Sequence, residues 1–177
     1  QVSVHDITSV RSVISLMGPN SRELLLRVTD ADLDDFPFGS TREIQIGGAM
    51  VRAARITYVG ELGWELHVPV SEAVKVYTAI REVGDDLGLL NAGHYAINSL
   101  RLEKGYRAWG SDISIDDTPL EAGLGFALAW DKAEPFLGRE ALLRQKETGV
   151  SKRMASFLLE DPTETLWHDE PIYRDGV

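Results

Sequence analysis

"TREIQIGGAMVRAARITYVGELGWELHVP", residues 41–69, alternates apolar and polar side chains on both sides of a Gly47-Gly48 pair. A period of two sends successive side chains to opposite faces of a strand, so one face can be buried while the other stays in water. Two glycines between two such runs favour a tight hairpin turn. The pattern therefore predicts strands over 42–46 and 49–58. Trp64, Leu66 and Val68 alternate with Glu65 and His67 in a third strand, stopped by Pro69. Between the last two strands lies "TYVGELGWELHV", residues 57–68, where Gly60 and Gly63 flank Glu61. Such glycines let the backbone turn tightly and approach a ligand closely. Two readings of Glu61 stand side by side: a solvated acid in a hairpin turn, or a carboxylate presented to a ligand.

Outward from this region the period changes. "SVISLMG", residues 12–18, is a short apolar run closed by glycine, and "PNSRELLLRVT" follows with Pro19 suited to an opening turn: strand, turn, helix. Ser71 is placed to cap a helix in which Ala73, Val76, Tyr77, Ile80 and Val83 recur at helical spacing until Gly84. A second helix is expected over 93–104, ended by Gly105. Beyond Tyr106, "DDTPLEAG" has loop chemistry, "GFALAW" reads as a short strand, "GREALLRQKETG" as a glycine-bounded helix and "KRMASFLLE" as a strand. The final "EPIYRDGV" starts another strand or turn. Strands and helices without a regular β-α-β repeat predict an α+β protein with antiparallel-rich sheets and packed helices. Both ends read as cut, and the passage from one domain to the next is expected within 133–149.

Composition narrows the function classes. The 177 residues are 44% hydrophobic and 26% charged, enough apolar surface for a core. No apolar run approaches the roughly 18 residues of a membrane span. The opening "QVSVHDITSV" has neither the basic start nor the apolar centre of a signal peptide, so a cytoplasmic protein without a membrane partner is expected. A formal charge of −10 argues against a nucleic-acid partner, which needs a basic stripe to neutralise phosphates. The absence of cysteine excludes thiolate metal sites and a cysteine nucleophile. His5, His67, His94 and His168 lack the one-turn spacing of a histidine metal pair, so no metal is assigned. Arg52, Arg55, Arg101 and Arg107 still leave room for an anionic small molecule.

Four pieces, in order, carry a family resemblance: "LMGPNSRELL" (16–25), "GELGWELHVP" (60–69), "AINSLRLEKGYRAWGSDI" (96–113) and "TPLEAGLGFALAW" (118–130). Together they resemble the aminomethyltransferase family, the T-protein of the glycine cleavage system and its relatives. They are most similar to the folate-binding C-terminal regions of dimethylglycine and sarcosine dehydrogenases. The resemblance implies a three-lobed arrangement of antiparallel-rich subdomains around a tetrahydrofolate pocket. Residues 1–140 would be the central and C-terminal part of that folate-binding domain, and 141–177 a linker helix and the start of a C-terminal β-barrel domain. It also implies that Glu61 pairs with the pterin edge. The chemistry agrees, because a pterin offers a ring N–H and an exocyclic amine side by side, and a carboxylate accepts from both. Gly60 gives the backbone its approach, and Phe126 and Tyr58 are the aromatic candidates for pocket walls. Trp109 is expected to pack under its loop. Arg101 matches the family's helix arginine; it either holds an ion pair with Glu103 or Glu121 or touches ligand.

The sequence departs from the family in two places. Ala96-Ile97-Asn98 stands where many T-proteins read Ala-Arg-Asp, so the arginine that holds the glutamate tail of folate is absent at this position. The family's essential aspartate lies well N-terminal of the turn, outside this chain, and Asp30, Asp32, Asp34 and Asp35 sit in the wrong context to replace it. No catalytic residue is therefore assigned. Lys104-Gly105-Tyr106 also differs from the Lys-Gly-Cys of iron-sulfur assembly relatives. The implied function is capture of the carbon released on oxidative demethylation of dimethylglycine or sarcosine as 5,10-methylenetetrahydrofolate. A small amine substrate and an upstream FAD-bearing domain belong to that picture of the intact protein, and the piece alone is expected to be inactive. The alternatives are a noncatalytic binding or scaffold fragment of the same fold, or a free-standing folate-dependent aminomethyl or methyl transferase.

Overall fold

The alternation in residues 41–69 becomes an antiparallel sheet. The computed structural model describes residues 2–167 and 169–176. In chain order it forms β1 (Arg11–Met17), α1 (Ser21–Leu26), β2 (Thr41–Ile46), β3 (Ala49–Ala54), β4 (Gly63–Pro69), α2 (Ala73–Glu82), α3 (His94–Glu103) and α4 (Arg139–Thr148). The strands lie in the order β1-β4-β3-β2, and each neighbouring pair is antiparallel. Ile46 stands opposite Ala49 across Gly47-Gly48, both glycines at positive φ, as a two-residue hairpin turn requires.

Register decides which face is buried. Leu16 lies opposite Trp64, Ile14 opposite Leu66, and Leu66 opposite Ala53, so all of them share one face. Leu24 and Leu25 of α1 and Val76 and Ile80 of α2 join that face in one core. The helical stripe and the strand alternation thus meet where both are apolar. Trp64 is fully buried at its centre. The Phe36 ring lies 6.1 Å from it, and the guanidinium groups of Arg22 and Arg55 lie 5.9 and 5.0 Å from its centroid.

The chain parts into two compact units between Arg107 and Ala108. The sheet, α1, α2 and α3 belong to the first unit and α4 to the second. Among the described residues, Ala122 is the buried hydrophobic residue of the second unit.

Several expected elements are corrected. β3 ends at Ala54 and not at Tyr58: Arg55 N still donates across to Ser40 O, but Gly39 N and not Ser40 N returns the bond to Arg55 O, and Ile56 N folds back onto Ala54 O, which closes the ladder. "GFALAW" is not a strand. Gly125–Ala127 form a 3-10 turn in which Ala127 N bonds Leu124 O and Leu128 N bonds Gly125 O, so local bonds take the donors a strand would offer. "KRMASFLLE" forms no strand either: Met154 N donates to Glu121 O, while Phe157 and Leu158 stay exposed, so no face of the segment is buried. Ser71 lies inside a 3-10 turn, Val70–Glu72, and Glu72 takes the N-cap position of α2. The helices expected over 93–104 and between Gly138 and Gly149 are present as α3 and α4. "EPIYRDGV" closes in a turn, its last residue lying outside the described residues.

Candidate functional site

Residues 55–62 join β3 to β4 and carry Glu61 beside Gly60, two residues before β4 begins. The loop is anchored at both ends. Arg55 Nη1 donates to Gly63 O at 3.2 Å, and Val59, itself buried, donates from its backbone N to Thr57 Oγ1 at 3.2 Å. On the far side, Leu62 O accepts from Gly18 N at 2.7 Å and from Ser21 Oγ at 2.9 Å, which ties it to the β1–α1 junction. Between these anchors Gly60 turns at φ +71°, a conformation that costs a residue with a Cβ about 1 kcal/mol or more. Glu61 is thereby held away from the core, with its side chain 36% exposed.

The end of α3 supplies the other half of the site. Gly105, at φ +68°, donates from its N to Leu102 O, and Tyr106 N donates to Arg101 O. This is the Schellman arrangement that stops a helix on a left-handed glycine. Arg101, 5% exposed, donates from Nε and Nη2 to Asn98 Oδ1 at 2.9 and 2.6 Å and from Nη1 to Tyr106 O at 2.9 Å. The helix end is fixed by these bonds. Lys104, at the C-cap, places Nζ 3.0 Å from Glu61 Oε1. Its ammonium is held above its ordinary value of 10.5, chiefly by the hydrogen bond with Glu61 and then by that carboxylate's attraction. It therefore stays charged throughout the neutral range.

Tyr58 belongs to the same cluster. Its hydroxyl donates to Arg107 O at 3.0 Å, and its ring meets Tyr106 at 6.2 Å between centroids, leaving it 41% exposed. It also lines a cavity of about 590 Å³ along β1, together with Met17, Tyr77, Leu90 and Ile97. That volume suits a small-molecule ligand. Ile97 gives the cavity an apolar wall. The first unit thus brings together Glu61, Gly60, Tyr58 and the end of the helix that bears Arg101. Phe126 lies in the second unit, on the Gly125–Ala127 turn, with its ring 86% exposed. Trp109 is exposed and does not pack under its loop. Lys104 is the residue that sequence reasoning missed. Its signal was a basic residue one position before a helix-stopping glycine.

No group of three or more metal-ligating side chains gathers among the described residues, and His168 lies outside them. No helix among the described residues is long and apolar enough to cross a membrane.

Residues 1–132 match the family described as "GCVT N-terminal domain". The chain belongs to that family. "Sarcosine dehydrogenase, mitochondrial" of Homo sapiens is 45% identical over 99% of this chain and 19% of its own length. "Pyruvate dehydrogenase phosphatase regulatory subunit, mitochondrial" of Mus musculus is 39% identical over 98% of this chain and 20% of its own. The chain spans about a fifth of the length of these two relatives. The crystal structure of glycine cleavage system aminomethyltransferase T from Bartonella henselae matches with a TM-score of 0.66 and 29% identity, over 80% of this chain and 38% of that one. The resemblance to aminomethyltransferases and sarcosine dehydrogenase therefore holds, and the α+β antiparallel-sheet fold is the family's.

Proposed function

We propose that this chain is a tetrahydrofolate-binding module of a one-carbon enzyme, with Glu61 as receptor for the pterin edge. One observation carries the reading: in a member of this family, the Glu61 carboxylate stands in a doubly anchored glycine turn, partly open to solvent. The donor and acceptor chemistry fits. A carboxylate accepts from a ring N–H and an adjacent amine together, and the exposed part of Tyr58 offers a flat surface in the same unit. Arg101 serves by fixing the helix end that carries Lys104 and Tyr106, and Gly60 lets the backbone come close. Phe126 is a separate aromatic candidate, on the second unit. When bound, tetrahydrofolate supplies the nitrogen that takes up the one-carbon unit. The chain's own part is to hold the pterin in one orientation, so that rate comes from proximity.

In the whole protein the carbon would come from oxidative demethylation of sarcosine or dimethylglycine by an FAD-bearing domain, giving 5,10-methylenetetrahydrofolate. Residues 1–140 would form the folate-binding part, and 141–177 the linker helix and the start of the next domain. A second reading, a noncatalytic binding module, is favoured by the regulatory subunit among the relatives. Calorimetric titration with 5-formyltetrahydrofolate separates them, using this chain and a polypeptide extended to the length of the dehydrogenase relatives. Saturable binding is expected, weakened in Glu61→Gln by on the order of 2 kcal/mol, the low end for a charged pair because the site keeps some solvent. An extended polypeptide that binds no folate overturns the proposal and leaves the noncatalytic module.

A further inference from the structure

We infer that Lys104 is a positioning residue for the folate site, holding one oxygen of Glu61 so that the rest of the carboxylate meets the ligand in a single orientation. The inference rests on the reading of Glu61 given above. Lys104 Nζ sits 3.0 Å from Oε1. A carboxylate has about four acceptor positions, so one ammonium leaves enough for two further donors. An unheld glutamate on a turn samples several rotamers and must freeze them when ligand binds. With Lys104 in place that ordering is done beforehand.

Gly60 ties the lysine to the turn. A Cβ at Gly60 would stand 2.5 Å from Lys104 Cγ and 2.9 Å from its Cβ. The glycine therefore meets two demands at once, the left-handed turn and room for the lysine stem to lie across it. Lys104 is itself fixed at the C-cap of α3, where Gly105 and Tyr106 close the helix. The other groups acting on its charge are Glu103 and Tyr106. Both come from the same helix end, whereas Glu61 reaches it from the β3–β4 loop.

Orientation carries selectivity. A carboxylate fixed to face two adjacent donors discriminates against a ligand that lacks one of them, while a carboxylate free to swing adapts to either. The test measures binding of 5-formyltetrahydrofolate and of its 2-desamino-2-methyl analogue by calorimetry in the full-length protein, with thermal melting of each variant alongside. Lys104→Met is expected to weaken binding of the first ligand about 5-fold, the scale of ordering one long side chain, and to narrow its preference over the second. Lys104→Arg should restore both the affinity and the preference. Gly60→Ala, which crowds the lysine stem and also strains the turn, should lose at least as much affinity as Lys104→Met and narrow the preference likewise. Wild-type affinity and preference in Lys104→Met, or an arginine variant as impaired as the methionine one, overturns the inference. Should Lys104→Met not fold, Gly60→Ala decides, and an unchanged preference there has the same overturning force. Glu61→Gln separates the two levels: if it abolishes binding while the lysine variants are silent, only the role of Lys104 falls. If it leaves binding intact, the reading of Glu61 falls and this inference with it.

Discussion

The turn at 55–62 and the segment at 114–124 each run into one of the motifs that carry the family resemblance, yet different forces hold them. The first hangs from a sheet: Val59 is buried, Leu62 O is tied to the β1–α1 junction, and Trp64 begins the buried face of β4. The second closes on itself through short polar bonds. Thr118 N donates to Glu121 Oε2 at 2.9 Å while Glu121 N donates to Thr118 Oγ1 at 3.2 Å, a reciprocal capping box. Asp117 Oδ2 accepts from Ser114 N at 2.8 Å, and Lys152 Nζ reaches Asp117 Oδ1 at 2.9 Å. Both arrangements constrain sequence, but burial does so across long separations and capping over three or four residues. Substitutions should therefore cost very different amounts in the two places.

Trp64→Ala gives the largest effect. Emptying a fully buried indole between Phe36, Arg22 and Arg55 should destabilise the first unit by about 3–5 kcal/mol, measured by denaturant unfolding followed through far-UV circular dichroism. A loss below about 1 kcal/mol would mean that the sheet core does not hold the turn, and the contrast would break.

Burial was the legible part of the fold. Ile44 and Ile46, Val51 and Ala53, and Trp64, Leu66 and Val68 declared one face by alternation alone, and that face is the core. Glycine punctuation likewise marked the ends of α3 and α4. Alternation does not say whether a neighbouring strand exists. Residues 55–58 and the segments "GFALAW" and "KRMASFLLE" have strand-like composition, yet backbone donors there turn to Ala54, Leu124, Gly125 and Glu121. The site divides in the same way. Glu61 stood out because its glycines are adjacent in sequence, whereas the Lys104 contact depends on where a distant helix ends. For Arg101 the sequence left two readings open, an ion pair with Glu103 or Glu121 and contact with ligand. A neutral acceptor one helical turn back, Asn98, takes two of its bonds, which charge counting does not anticipate.

Thr118→Ala should weaken the polar closure of the second unit. It removes the hydroxyl half of the capping box and should destabilise the local turn by about 1 kcal/mol, seen as faster amide exchange at Glu121 and Ala122 with the amides of β4 unchanged. The Glu121 carboxyl, held below its ordinary 4.5 chiefly by the Thr118 backbone N–H and then by the Thr118 side chain, should titrate closer to that value in the variant. Exchange at Glu121 that does not change would show that something other than the box closes the segment.

The smallest expected effect is a pH response confined to the second unit. Lys152 and the Ser114 N–H hold the Asp117 carboxyl below its ordinary 3.8, the hydrogen bond from Lys152 being the larger cause. In the acid range the unfolded chain then binds more protons at this site than the folded one, so folding stability rises with pH. The contribution is complete above 3.8 and is lost as the pH falls through the depressed folded value. Lys152, raised above 10.5 chiefly by Asp117 and also by the charges of Glu121 and Asp116, behaves in the opposite sense: its contribution is present below 10.5 and is lost as the pH rises through the raised value. A plateau through the neutral range is expected, with loss at both extremes. Because both side chains keep solvent contact, the effect should be slight and should shrink in high salt. NMR titration of the Ser114 and Met154 amides reads it directly. Asp117→Asn should weaken the acid limb at Ser114, with a remnant from Glu121, whereas amides of β3 and β4 should show the same acid behaviour in both proteins. An acid limb at Ser114 that survives the substitution in full would place the titrating group elsewhere and remove the Asp117–Lys152 pair from what holds this unit closed.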